Sequence, residues 1–127
     1  MQDTVPNRLA FRHVVPQLHN SQSGRLDARQ VAGYFDIELK AIASLLGQKL
    51  TTVSKTADSK TLQPGLTTFG RIATALENLV GSEQNRRIWL AAPNPQLGGK
   101  TPLQTITEGD ADIVADLLEN MLVGQPA

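Results

Sequence analysis

Ile42-Ala43-Ser44-Leu45-Leu46-Gly47-Gln48-Lys49-Leu50-Thr51-Thr52-Val53-Ser54-Lys55 decides how the front of this chain folds. Ile42, Ala43 and Leu46 continue an apolar stripe begun at Leu39, which predicts a helix over 37–46 with Asp36 as its cap. Gly47 enters a left-handed turn without the penalty a Cβ would bring. A short helix over 50–57 follows. Val53 packs it back on the first, and Ala43 is small enough to let the two axes approach. This is the spacing of a helix-turn-helix. Lys49, Thr51, Thr52, Ser54 and Lys55 are left outside it, and ammonium and hydroxyl groups suit phosphate contacts and base edges in a major groove. These residues are the candidate DNA-binding set. Two positions depart from the pattern: Gln48 stands where an apolar turn residue is expected, and Thr56 where a second anchor is expected. The face over 51–57 also lacks any Arg, Asn or Gln for bidentate base reading.

Outward from this unit, Asp27 and Gln30 have the spacing of a capping box, which predicts a helix over 28–35 with Val31, Tyr34 and Phe35 on its inner side. Residues 1–25 are polar, interrupted by Pro6 and Pro16, and carry Arg8, Arg12 and Arg25; they read as a flexible arm. Beyond a turn-rich loop over 58–65, residues Leu66, Phe69, Ile72, Ala73, Leu76, Leu79 and Val80 trace one face of a long helix stopped by Gly81. Ser82 caps a helix over 83–91 that turns Ile88 and Trp89 inward and Arg86 and Arg87 to solvent. Pro93 ends it, and the prolines and glycines over 93–100 exclude helix there. Thr101, Pro102 and Gln104 restart a short helix with a capping box. Asp110 caps the last one, whose broad apolar stripe of Ile113, Val114, Leu117, Leu118, Met121 and Leu122 has area to divide between its own core and a partner. Its Asp112, Asp116, Glu119 and Asn120 form a solvated face. The expectation is an all-α chain: an arm (1–25), a helix-turn-helix bundle (26–81) and a small helical domain (82–127).

Composition narrows the function. With 127 residues and 40% apolar content the chain can bury a core, and with no cysteine it holds neither a disulfide nor a thiolate metal site. His13 and His19 sit in polar sequence as surface residues. No apolar run approaches membrane-spanning length and no signal-peptide core is present, so a cytoplasmic protein is expected. A net charge of zero conceals a division. Residues 1–100 hold 12 Lys and Arg against 7 Asp and Glu, whereas residues 101–127 hold 5 acids and no base. A basic front suits a polyanion partner. No phosphate-cradling glycine loop, Cys/His pair or opposed carboxylates are present to build an enzyme. No cofactor or metal is expected.

The ordered run Ile88-Trp89-Leu90, Pro93-Asn94, Leu97-Gly98-Gly99, Thr101-Pro102-Leu103, Glu108-Gly109 and Val114 onward resembles the C-terminal toxin-binding domain of Xre/MbcA/ParS antitoxins. Ala43, Gly47 and Val53 resemble that family's helix-turn-helix more loosely. The resemblance implies an antitoxin that neutralises a RES-domain toxin, an enzyme that consumes NAD or transfers ADP-ribose from it. It further implies a homodimer within a larger toxin-antitoxin complex, able to repress its own operon. By position, Val123, Gly124, Gln125, Pro126 and Ala127 would reach the toxin's active site, with Pro126 stiffening the tail, Leu122 adding to the toxin-binding surface and Arg86 and Arg87 at the rim. Trp89, Pro93, Asn94, Leu97, Gly98, Gly99, Pro102 and Leu103 would form the scaffold that orients the final helix. Two alternatives stay open at this point: a free-standing helix-turn-helix regulator, and an antitoxin that has lost DNA binding.

Overall fold

A computed structural model describes residues 15–124. Within them seven α-helices follow one another: α1 Ala28–Phe35, α2 Leu39–Leu45, α3 Leu50–Lys55, α4 Gln63–Leu79, α5 Glu83–Ala91, α6 Pro102–Thr107 and α7 Ala111–Leu122. Among the described residues there is no strand, only an isolated antiparallel bridge between His19 and Leu26. The fold is all-α, as the periodicity predicts. No described helix is long and apolar enough to cross a membrane.

The local signals act much as written. The Asp27 carboxylate accepts hydrogen bonds from the amides of Arg29 and Gln30, opening α1. Thr101 and Gln104 form a reciprocal capping box on α6, with Pro102 in its first turn. Three helix starts differ. Asp36 does not cap α2; it closes α1 in a left-handed conformation (φ 58°, ψ 45°), and the cap position of α2 is Glu38. A polar residue that tolerates positive φ satisfies the end of one helix before it can begin the next. α4 begins at Gln63 rather than Leu66, because Pro64 lies in the first turn, where its missing N–H costs nothing. Asp110 precedes α7 without a side-chain capping bond.

α4 is the central rod. Its buried Leu66, Phe69, Ile72, Ala73 and Leu76 face α1 on one side and α7 on the other, and its packing with α7 is the most extensive in the fold. Phe35 of α1 meets Phe69 edge-on, with ring centroids 5.6 Å apart. The buried core runs without interruption from Val15 to Leu118, so it continues across the boundary expected at 81/82. Of the segment expected to be an arm, residues 1–14 lie outside the described residues, whereas 15–25 are docked. Val15 and Leu18 are almost fully buried, and the Gln63 side-chain amide holds both the N–H and the carbonyl of Leu26 at 2.9 Å.

Candidate functional site

The first surface is the helix-turn-helix. Gly47 makes the turn at φ 71°, the amide of Gln48 donates to the carbonyl of Ala43 at 2.9 Å, and Ala43 and Val53 are buried where the helices meet. Lys49, Thr51, Thr52 and Lys55 are exposed and Ser54 is half-buried, so the candidate set occupies the outer side of α3 and its approach. The position left unanchored by Thr56, which is exposed, is compensated by its neighbour Ala57, which is buried. Two arginines brace this face from outside it. Arg29 donates to the carbonyl of Ser54 at 3.1 Å, and Arg25 donates through Nε to the carbonyl of Asp58 at 2.8 Å. Leu50, in the first turn of α3, is 41% exposed among these polar side chains.

The second surface begins with α5, where the sequence pattern misassigns the faces. Arg86 is buried at 7% exposure and Leu90 at 2%, while Ile88 is 59% exposed and Trp89 half-buried against the core. Arg86 therefore does not point to solvent. Its Nη1 donates to Glu77 Oε2 at 3.2 Å, the Tyr34 hydroxyl donates to the same oxygen at 2.7 Å, and the guanidinium lies over the Tyr34 ring. Burial first, and then the Glu77 carboxylate, push the Tyr34 hydroxyl well above its ordinary pKa. Arg87 does remain outside, paired with Glu83 at 3.0 Å and Asp36 at 3.6 Å.

Of the scaffold residues, Pro93, Asn94, Leu97, Gly98 and Gly99 lie in the loop after α5, Trp89 within α5, and Pro102 and Leu103 in α6. The Asn94 side chain accepts from the Gln96 amide, its N–H donates to the Lys100 carbonyl at 3.0 Å, and its own carbonyl accepts from Gly99 at 3.0 Å. Within this closed loop, Pro95–Leu97 form one 3-10 turn, a helical turn that the prolines had seemed to forbid. Pro95 stands at its start, where no amide is needed, and Gly98 leaves it at φ 69°. Leu97, Leu103 and Trp89 pack against the core and Pro102 is buried, whereas Pro93 is exposed. Lys100 and Glu108 join the loop to the end of α6 at 2.6 Å.

α7 divides its apolar side chains. Val114, Ala115, Leu117 and Leu118 are buried and Leu122 packs partly against the core, but Ile113 (52%), Met121 (37%) and Val123 (70%) are exposed. The acids across the helix are not simply solvated. Arg71 of α4 reaches Asp116 at 2.9 Å and Glu119 at 2.6 Å, with Asp112 at 3.9 Å, and the hydrogen bonds it donates to Glu119 and Asp116 raise the guanidinium's pKa further. This clasp fixes which side of α7 faces away from α4. Val123 and Gly124 are exposed at its end; Gln125, Pro126 and Ala127 lie outside the described residues. Ile88, Ile113 and Met121 were absent from the candidate set. The only signal for Ile113 and Met121 was a stripe too broad for one helix interface.

Residues 75–124, from the second half of α4 to the end of α7, match the family model described as the antitoxin Xre/MbcA/ParS C-terminal toxin-binding domain. No curated protein and no solved structure gives a significant match. The matched segment leaves the helix-turn-helix outside it.

Proposed function

From the match of residues 75–124, which supports an Xre/MbcA/ParS-type antitoxin with a toxin as its partner, we propose that this chain neutralises a RES-domain toxin in the cytoplasm. The toxin consumes NAD or transfers ADP-ribose from it, and the antitoxin, itself no enzyme, occludes the toxin's active site with its C-terminal end. One observation carries this reading beyond the family match. Of the five large apolar side chains that stay exposed among the described residues, four (Ile88, Ile113, Met121 and Val123) fall inside the matched segment. Exposed aliphatic anchors beside a charged rim are what a protein interface needs. Ile113 and Met121 lie two helical turns apart on α7, and exposed Val123 follows at the helix end. Arg87 stands as a rim contact; Arg86, buried on Glu77, acts as scaffold instead.

The same chain represses its own operon as a homodimer through the outer side of α3. Support for this comes from the turn geometry at Gly47 and from the exposure of Lys49, Thr51, Thr52 and Lys55. Co-expression with a RES-domain toxin tests the central part. Growth is restored by the full chain and not by a chain lacking 123–127, provided the truncated chain keeps its helical circular-dichroism spectrum. Equal rescue by both removes the tail from the mechanism.

A further inference from the structure

Leu50 is the fifth exposed apolar side chain, and it lies outside the matched segment, in the helix-turn-helix. It opens α3, with Lys49 before it and Thr51 and Thr52 after it, all exposed. Val53, one turn on, is fully buried and already anchors α3 to α2. Leu50 is thus not needed as the pin of the motif, and two-fifths of it faces solvent at the start of α3. The chemistry of its surroundings says what it would meet. The exposed groups beside it are ammonium and hydroxyl groups, which suit a phosphate-lined groove and not a second apolar protein face. Residues 51–57 hold no Arg, Asn or Gln, so Lys55 alone is left there to read a guanine edge and nothing reads adenine bidentately. The one base feature that an aliphatic side chain recognises in a major groove is the 5-methyl group of thymine.

We propose that Leu50 is a specificity-determining residue that reads thymine methyl groups, and that α3 recognises its operator chiefly by methyl and hydroxyl contacts. The inference rests on the DNA-binding reading above. The first turn of a recognition helix is the part that approaches base edges, and Leu50 is the bulkiest exposed side chain there. Thr51 and Thr52 add their own methyl groups to the same surface.

The test uses the full chain and a random duplex pool. The best-bound duplex is selected at fixed salt, and each thymine in turn is then replaced by uracil, which removes the methyl group alone. Uracil at one or more positions is expected to weaken binding about fourfold per contacted methyl, the loss of about 0.8 kcal/mol for one buried methyl-sized group. Leu50→Ala should bring that thymine-to-uracil ratio to one at those positions, and Leu50→Gln, which keeps side-chain length and helix propensity, should do the same. If uracil costs nothing at any position, or both variants keep the wild-type ratio, the assignment is overturned. If the variants change the oligomeric state and leave the ratio intact, Leu50 belongs to a protein contact and the assignment is again wrong. If no duplex is enriched at all, the DNA-binding reading itself falls, and this inference with it.

Discussion

The guanidinium of Arg86 lies 3.9 Å from the ring centroid of Tyr34, and both side chains donate to one oxygen of Glu77. Three helices meet there: α1, which precedes the helix-turn-helix, the central α4, and α5 of the matched segment. The pair is nearly dry, with side-chain exposures of 9% and 16%. Removing one partner leaves the other charge buried and unpaired. Arg86→Met is expected to lower unfolding free energy by about 3 kcal/mol in urea titration. Arg86→Met combined with Glu77→Gln should recover part of that loss, because neither charge is then stranded. A single-variant loss below about 0.5 kcal/mol is what a surface pair would show.

The same cluster sets a pH limit. The Tyr34 hydroxyl is held above its ordinary pKa of 10.0 by burial and by Glu77. A group whose folded pKa is raised contributes stability that is complete below the unfolded pKa and is lost as pH rises toward the folded value. Stability measured by urea titration should therefore fall more steeply above about pH 10 in the wild type than in Tyr34→Phe, which has no proton to lose there. Parallel curves for the two proteins would contradict this.

Two glycines should respond to alanine with opposite signs. Gly33 sits within α1 with open space where a Cβ would project, so Gly33→Ala is expected to stabilise by about 0.5 to 1 kcal/mol through helix propensity and unfolded-state entropy. Gly98 also has open space, but its φ of +69° is left-handed. Gly98→Ala should cost about 1 kcal/mol by backbone strain alone. Thermal unfolding of the two variants separates the effects.

The basic rim of α3 should announce itself in salt dependence. If Lys49 and Lys55, both exposed, neutralise phosphates, the double alanine variant will bind duplex DNA more weakly. The slope of log K against log salt should also become shallower by about 2. An unchanged slope assigns these lysines to solvent.

Much of this fold was legible because its instructions are local. The cap at Asp27, the capping box at Thr101, the stripe of α4 and the turn at Gly47 each involve residues a few positions apart, and each formed, at Asp27 through the carboxylate alone rather than as the reciprocal box its spacing with Gln30 predicts. The misreadings share a different physics. A run of two arginines on a helix reads as solvent-facing, and only Glu77 from α4 and Tyr34 from α1 make it favourable to bury one of them. With Arg86 turned in, Ile88 is turned out. The acids of α7 do form the solvated face their spacing predicts, and only the fold shows that Arg71 of α4 reaches across to them. Asp36 was read as a beginning when its left-handed backbone made it an end. The scaffold part of the candidate site was visible as an ordered motif. Which residues of the broad α7 stripe stay outside, Ile113 and Met121, is decided by the tertiary packing of α7.

The most direct measurement is inhibition of a purified RES-domain toxin's NAD consumption by this chain, titrated in three forms. The full chain should abolish NAD loss at stoichiometric ratio. A chain lacking 123–127 should fail to do so, and Ile113→Asp with Met121→Glu, both changes at exposed positions, should weaken binding by at least 2 kcal/mol, the scale of interface anchors, while the fold persists. Unimpeded NAD consumption in the presence of excess full chain, or equal inhibition by all three forms, would contradict the account.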